Sequence, residues 1–248
     1  MPAKKSSKPS APSTPSFHAA VLPINRVVVV GAGGNGSIFM SHLCRIWQAW
    51  TKLGGSPFAI ELWDNDTVSE ANLARQCFCE ADIGLPKAIV LAQRLRSFYG
   101  VPVEPVVQRA RGGVYLSGAT GGAADDVIVG CVDNLTTRRA ISGPRSPAHN
   151  SRYWLDLGNG NDFGQVILGG HGLKDFFDIY PEQWAAKDPK DAPSCSLAAA
   201  LVKQDLFINS TVATLAGQLL WQLMRKGRLT HHGYIVNLAT GTTLPLPV

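Results

Sequence analysis

Hydrophobic residues occur along the chain in short apolar runs separated by amphipathic stretches. The first run, RVVVV at 26–30, has no polar face, which is typical of a central strand in a parallel sheet. It leads directly into the pattern Gly31-x-Gly33-x-x-Gly36, and the stretch 37–51 then predicts a helix. A strand, a glycine turn and a helix in this order favour a phosphate-binding site, because the start of the helix presents backbone N–H groups to an anion.

The alternation continues downstream and predicts a layered α/β fold. Strands are predicted at 57–63, 102–108, 126–132, 153–158, 165–169 and 234–237, and helices at 86–99 and 196–225. The stretch 171–194 has little periodicity and is predicted to be a long crossover loop. We therefore expect a Rossmann-like, doubly wound, mainly parallel sheet with a C-terminal antiparallel extension.

Composition separates the first residues from the rest. Residues 1–22 are rich in Pro, Ser and Lys and lack an apolar segment, so we expect a disordered basic tail and no signal peptide. Residues 23–248 are expected to form one domain. No apolar run is long enough to span a membrane, so a cytoplasmic protein without a membrane partner is expected. The tail lysines supply three of the five net positive charges, so the tail could contact nucleic acid or an acidic partner. A solvated tail is the favoured interpretation, and nucleic acid is not expected as a partner.

The cysteine pattern argues against a disulfide framework and against a structural zinc site. The five cysteines form an odd set without a CxxC pair: Cys44, Cys77, Cys79, Cys131 and Cys195. Reduced thiols and no zinc are therefore expected. His231 and His232 have no evident third ligand in the sequence and are expected to lie at the surface.

Acidic residues follow two of the predicted strands. Asp64 ends the strand at 57–63, where an acid normally binds ribose hydroxyls, although it lies farther beyond Gly36 than the usual ~20 residues. Asp133 follows the strand at 126–132. It suits a magnesium–nucleotide site or the N-cap of a helix that begins near Leu135, and the two roles are compatible.

The loop after Asp64 is rich in groups that bind phosphate. After Asp64, the stretch 72–87 contains two cations and two side-chain amides. The cations are Arg75 and Lys87, and the amides are Asn72 and Gln76. Such a set favours a triphosphate ligand. The alternative is a solvated charged loop without a ligand.

Six sequence blocks, in order, resemble the ThiF/MoeB/HesA superfamily of ubiquitin-activating-type adenylating enzymes. The blocks are GAGGNGS (31–37), DNDTV (64–68), NLARQ (72–76), DIGLPKA (82–88), DNLTTR (133–138) and GQV (164–166). The segment SCSLAAALVKQDLFINSTVA and the C-terminal VNLATGTTLPLPV narrow the resemblance to the ThiF-type proteins of PRTRC gene cassettes.

The resemblance implies ATP-dependent adenylation of the C-terminal carboxylate of a small ubiquitin-like or sulfur-carrier protein, by a homodimer that uses ATP and Mg²⁺. By position, Asp64 would bind the ribose and Asp133 the magnesium. Asn72, Arg75 and Lys87 would bind the phosphates, and Gly33 and Gly36, with Gly31 and Gly34, would let the nucleotide approach the backbone closely. Gln76 and Arg138 would either contact the nucleotide or hold the loop. Arg75, Lys87 and Asp133 would then be catalytic.

Cys195 is the candidate for a transfer thiol. Relatives that form thioesters or persulfides carry a cysteine in the crossover loop, and Cys195 stands at the end of that predicted loop, before the helix predicted at 196–225. A helix start lowers a thiol pKa and favours the nucleophilic thiolate. The alternative is a buried or capping cysteine. Cys77 and Cys79 are weaker candidates, because they lie within the nucleotide loop.

The sequence also departs from the superfamily. Relatives commonly present an arginine from a segment ahead of the first strand, and here no arginine precedes Arg26. Two alternatives stay open: adenylation of a small molecule, a peptide or RNA, and a non-catalytic nucleotide-binding adaptor in replicon maintenance. An NAD-dependent dehydrogenase is least favoured, because Arg75, Lys87 and Asp133 would have no role in it.

Overall fold

The chain alternates strands and helices as the hydrophobic pattern predicts. A computed structural model describes residues 15–18, 24–110, 126–143, 152–188 and 204–248. Its elements are β1 (Phe17–His18), β2 (Arg26–Val30), α1 (Gly34–Lys52), β3 (Ala59–Trp63), α2 (Lys87–Tyr99), β4 (Glu104–Val106), β5 (Asp126–Gly130), α3 (Leu135–Ser142), β6 (Tyr153–Asn159), β7 (Phe163–Gly169), α4 (Phe176–Ile179), α5 (Ile208–Lys226), β8 (Arg228–Leu229), β9 (His231–Asn237) and β10 (Thr242–Pro247).

The main sheet of the described residues has the strand order β10-β9-β7-β6-β5-β2-β3-β4. Five neighbouring strands run parallel, in the spatial order β4, β3, β2, β5 and β6. Beyond β6, the strands β7, β9 and β10 follow in antiparallel pairs. The predicted doubly wound, mainly parallel sheet with an antiparallel C-terminal extension is therefore confirmed. Strands β10 and β4 form its two edges.

The valine run of β2 lies at the centre of the sheet and faces apolar layers on both sides. Val27 and Val29 pack in the cluster that contains residues of α1, α2 and α5, whereas Val28 and Val30 pack in the cluster that contains residues of α3 and α4. All four side chains are at most 3% exposed. A strand that is buried on both faces has no use for a polar face, which explains the sequence pattern.

The long C-terminal helix begins later than predicted. The described residues 204–207 form a bend and a turn, and α5 starts at Ile208. Tertiary contacts make this break: the Asp205 N–H donates to Asn161 O at 2.8 Å, and the Asp205 carboxylate accepts from the Phe207 N–H at 2.8 Å. The idea that Cys195 immediately precedes this helix is therefore wrong, and Cys195 itself lies outside the described residues.

The apolar residues of α5 are used within the chain. They pack against α1 and against β6 and β7, and Ile208, Val212, Ala216 and Leu219 are completely buried. The apolar character of this stretch therefore gives no argument for a dimer.

Other predicted boundaries also change. The stretch predicted as loop at 171–194 contains α4, whose residues Phe176 and Phe177 are buried, and a 3-10 turn at Pro181–Trp184. The Pro-rich end forms β10, and β1, within the predicted tail, pairs with β8. His232 is buried in β9 with Nδ1 2.8 Å from Leu168 O, so its expected surface position is wrong. No described helix is both long and apolar enough to cross a bilayer.

Two glycines of the turn after β2 have different structural roles, and alanine substitutions at the two positions should therefore change stability by different amounts. A Cβ at Gly36 would lie 1.8 Å from Gly31 O, whereas a Cβ at Gly33 would meet nothing within 4 Å. We expect Gly36→Ala to lower the free energy of unfolding by about 3 kcal/mol, because backbone must move. Gly33→Ala should stay within about 1 kcal/mol of the wild type. Chemical denaturation checks both values, and equal stability of the two variants would contradict the assignment.

Candidate active site

A cavity of about 970 Å³ opens at the carboxyl ends of β2, β3, β5 and β6. Nine predicted site residues line it: Gly31, Gly33, Gly34, Asp64, Asn72, Arg75, Gln76, Lys87 and Asp133. Gly36 does not line the cavity. It lies behind the turn, where the absence of a side chain admits the Gly31 carbonyl, and its predicted part in nucleotide binding stays a prediction.

The start of α1 supplies backbone donors to the cavity. The helix ladder opens with the hydrogen bond from Ser37 N–H to Gly33 O at 2.9 Å, so the N–H groups of residues 34–36 precede the ladder. The first turn carries no acidic residue that would compete for them. This helix start therefore suits an anionic ligand, and phosphate is the expected one.

Asp64 joins β3 to the glycine turn. Its Oδ2 accepts a hydrogen bond from Ala32 N–H at 2.6 Å, and its Oδ1 accepts from Asp66 N–H at 2.7 Å. Burial raises the pKa of the Asp64 carboxyl, and these two hydrogen bonds together with the charge of Lys87 oppose the rise. Each carboxylate oxygen keeps a further acceptor site, which suits the two hydroxyl donors of a ribose.

Lys87 places a buried ammonium group on the cavity wall. The residue opens α2 and is 6% exposed. Its Nζ lies 3.4 Å from Oδ2 of Asp66, whose own side chain is 62% exposed. This long contact with a solvated carboxylate compensates the charge weakly, so most of the positive field is available to a ligand.

The loop that carries Asn72, Arg75 and Gln76 holds its polar groups in a strained backbone. Ala74 has a φ of 60°, an uncommon value for alanine. Arg75 donates from Nη1 to Gln204 Oε1 at 2.6 Å, and its buried Nε has no partner among the described residues. Gln76 Oε1 is likewise buried without a partner there. Asn72 Oδ1 accepts from Ser69 N–H at 2.9 Å, which leaves the Asn72 amide nitrogen for another acceptor.

The structure excludes the capping role considered for Asp133 and leaves its magnesium role a prediction. Asn134 is the N-cap of α3, because its Oδ1 accepts from Thr137 N–H at 2.8 Å. The capping alternative for Asp133 is therefore wrong. Its carboxylate is exposed at the cavity and receives a long hydrogen bond of 3.3 Å from the Asn134 amide. An exposed carboxylate beside a phosphate site suits magnesium, which is usually held by one or two carboxylates and by phosphate oxygens.

Asp188 is a second carboxylate at the start of α3, and sequence reasoning missed it. Its side chain accepts from the Leu135 N–H, from the Thr136 N–H at 3.0 Å and from the Thr136 hydroxyl. Burial would raise the pKa of Asp188, but these hydrogen bonds and Arg139 hold it below its ordinary value. Asp188 and Arg139, which donates to Trp184 O at 2.7 Å, fix the segment after α4 onto α3.

Arg138 supports the wall of the cavity and is largely neutralised. Its Nε lies 3.1 Å from Oδ1 of the buried Asp156, and its guanidinium lies 4.7 Å from the centre of the Phe176 ring. Burial raises the pKa of Asp156, against the opposing charge of Arg138. Arg138 therefore acts mainly as a scaffold. The sequence motif contained Arg138, but nothing in the local sequence indicated Asp156 as its partner.

The described thiols near the cavity are poor nucleophiles. Cys131 lines the cavity, and burial together with the Asp156 charge raises the pKa of its thiol. Burial also raises the pKa of Cys77. Cys195 lies outside the described residues, so its role stays a prediction.

The donor set of the cavity fits a magnesium–triphosphate. The start of α1, Arg75 and Lys87 supply positive charge, Asp64 suits the ribose, and Asp133 offers an oxygen ligand. Among the described residues, no group of three or more His, Cys, Asp or Glu side chains is placed to hold a metal ion by itself. Magnesium here would take its remaining ligands from phosphate and water. The expected absence of zinc stays a prediction.

Comparison with known proteins identifies relatives. The chain is 34% identical over 120 residues to the SAMP-activating enzyme E1 of Haloferax volcanii, covering 48% of this chain and 40% of that protein. It is 31% identical over 119 residues to the sulfur carrier protein ThiS adenylyltransferase of Escherichia coli, covering 48% and 43%. The chain spans less than half the length of these curated relatives.

Solved structures share the fold at low sequence identity. The structure of PaaA matches with a TM-score of 0.61 and 16% identity, covering 90% of this chain and 64% of that chain. The structure of E. coli MccB with ATP matches with a TM-score of 0.57 and 17% identity, covering 90% and 63%. The narrower resemblance to PRTRC proteins stays a prediction. Residues 20–226 match the ThiF family, and the chain belongs to that family.

Proposed function

We propose that this protein uses Mg-ATP to adenylate the C-terminal carboxylate of a small ubiquitin-like or sulfur-carrier protein. The observation that carries the proposal is that one cavity brings together the N-terminus of α1, two cations and a carboxylate that does not cap a helix. The cations are Arg75 and Lys87, and the carboxylate is Asp133. The names of two relatives, a SAMP-activating enzyme and a ThiS adenylyltransferase, support this choice of substrate.

The reaction suits a site that supplies positive charge and alignment. A carboxylate is already ionised at neutral pH, so its oxygen attacks the α-phosphorus without a general base. The bond from the α-phosphorus to the bridging oxygen breaks, and pyrophosphate leaves with that electron pair. Arg75 and Lys87 would stabilise the charge that develops on the phosphate oxygens, and Asp64 would hold the ribose. Magnesium bound at Asp133 would neutralise phosphate charge.

A second region of the cavity offers a place for the acceptor. It is lined by Gly158, Phe163, Gln165 and Ile235, on the antiparallel side of the sheet. Apolar and amide groups suit the uncharged part of a peptide that ends in the attacking carboxylate. The homodimer, and thioester transfer through Cys195 after adenylation, remain parts of this proposal.

A non-catalytic nucleotide-binding adaptor is the second candidate, because the sequence has no arginine ahead of Arg26. Pyrophosphate exchange that depends on a candidate carrier separates the two functions. Catalysis gives exchange, whereas an adaptor binds ATP without it.

We expect the protein to bind Mg-ATP in preference to NAD, because the cavity concentrates positive charge where a triphosphate would lie. Calorimetry with ATP, with and without Mg²⁺, and with NAD checks this. The affinity for ATP should rise with Mg²⁺ and exceed that for NAD by at least about tenfold. Tighter binding of NAD that is indifferent to Mg²⁺ would refute the nucleotide assignment.

A further inference from the structure

The guanidinium of Arg75 is oriented by a neutral group, whereas three other arginines of the described residues are oriented by carboxylates. Arg26, Arg94 and Arg138 each pair with a carboxylate, at 3.1, 2.7 and 3.1 Å. Arg75 is instead held by a neutral amide, the Oε1 atom of Gln204, at 2.6 Å. Within the described residues no carboxylate lies in ion-pair distance of Arg75. Its charge is therefore not neutralised by the contact that orients it.

The orientation of the Gln204 amide is fixed by its other partners. Its Nε2 donates to Gly160 O at 3.3 Å, and its Oε1 also accepts from Asn209 Nδ2 at 3.2 Å. A carbonyl oxygen only accepts, so the amide nitrogen must face Gly160 and the amide oxygen must face Arg75. Asn159 Nδ2 donates to the same Gly160 carbonyl at 3.1 Å, which ties this network to the end of β6.

This arrangement leaves Arg75 with donors for a ligand. One N–H of Nη1 is used by Gln204, and Nη2 has only a long contact of 3.4 Å with Ala71 O. The remaining N–H of Nη1 stays available and Arg75 lines the cavity, whereas the Nε–H is buried without a partner among the described residues. A guanidinium that is fixed at one corner by a neutral acceptor keeps its full charge and loses less conformational freedom when it binds an anion.

We infer that Gln204 is a positioning residue for Arg75, which it aims at the phosphates of the nucleotide without neutralising it. The inference rests on the proposed function. It assigns a specific chemical requirement to position 204, namely an uncharged hydrogen-bond acceptor. A glutamate has nearly the same shape but would form an ion pair with Arg75 and compete with phosphate for its charge.

The test compares Gln204→Ala and Gln204→Glu with the wild type by calorimetry with Mg-ATP and by thermal unfolding. Gln204→Ala should weaken ATP binding about tenfold through lost orientation. Gln204→Glu should weaken it more, on the order of 100-fold, because the charge of Arg75 is used internally. The glutamate variant should nevertheless melt no lower than the alanine variant, because its ion pair with Arg75 offsets the lost hydrogen bond to Gly160.

Two controls make the result specific. Gln218→Glu, at an exposed position of α5, adds the same charge away from the cavity and should bind ATP within about twofold of the wild type. In an Arg75→Ala background, Gln204→Ala should bind ATP as Arg75→Ala alone does, because the group that Gln204 positions is gone. Gln204→Glu should then lose only what direct repulsion between its carboxylate and the phosphates costs, which is less than its loss with Arg75 present.

Three outcomes would count against the inference. If Gln204→Glu binds Mg-ATP as well as the wild type in a folded protein, the neutral acceptor is not required. If Gln204→Ala still weakens binding when Arg75 is replaced by alanine, Gln204 acts by another route. If the wild type itself binds no Mg-ATP, the proposed function fails, and the inference fails with it.

Discussion

Replacing Lys87 by methionine is expected to slow carrier-dependent ATP–pyrophosphate exchange by roughly 10²- to 10³-fold. Lys87 is 6% exposed, and its described ion-pair partner is the solvated Asp66. A charge at such a buried position acts strongly on a phosphate, because little water screens it. Methionine keeps an unbranched apolar stem in the same space, so the fold should be retained.

Thermal unfolding measured beside the exchange rate separates loss of charge from loss of structure. Lys87→Met should melt within a few degrees of the wild-type temperature, because removal of a desolvated charge offsets the loss of its favourable interaction with the buried Asp64 carboxylate. Lys52→Met, at the exposed end of α1, removes an equal charge and should exchange at the wild-type rate. A folded Lys87→Met protein that keeps full exchange activity would show that Lys87 does not bind the phosphates.

Asp133→Asn is expected to remove most of the magnesium dependence of ATP binding and to lower exchange by roughly 10²- to 10³-fold. The carboxylate is exposed at the cavity and free of the capping role, so it is free to bind the proposed magnesium ion. An amide has similar size but supplies no negative charge. Titration of Mg²⁺ at fixed ATP, followed by calorimetry, measures the effect.

The neighbouring residue provides the matched control. Asn134→Ala removes the N-cap of α3 and should cost about 1 kcal/mol of stability while the magnesium dependence persists. An Asp133→Asn protein with an unchanged magnesium requirement would place the metal at another carboxylate.

The strands of the sheet could be predicted from sequence because each strand is marked by the hydrophobic pattern of its own residues. Each valine of β2 meets apolar residues on its own side, so a run of four is enough to indicate a central strand. The start of α5 could not be predicted in this way. Residues 204–207 contain no strong helix breaker, and the turn there depends on Asn161, which is distant in sequence. The strand β10 was missed because its prolines disfavour a strand assignment.

The residues of the candidate site also differ in whether local sequence could predict them. Four of the site residues lie in short sequence motifs and could be predicted from their charge and position in those motifs. The fold brings them to one cavity: Asp64, Arg75, Lys87 and Asp133. Gln204 could not be found from sequence, because it is 129 residues from Arg75 and its role exists only through that contact. Asp133 and Asn134 are adjacent acceptors, and only the hydrogen bond from Thr137 shows which of them caps α3.

The two edge strands of the sheet restrict how another protein can bind. Strand β10 contains Pro245 and Pro247, and the other edge, β4, has only three residues, of which Pro105 is one. Each proline removes a backbone donor, so neither edge offers a continuous ladder to an incoming strand. Intermolecular strand pairing, the route by which open sheets aggregate, is therefore hindered at both sides. A partner that binds without strand pairing engages side chains, so its affinity depends on residue identity more than on backbone complementarity.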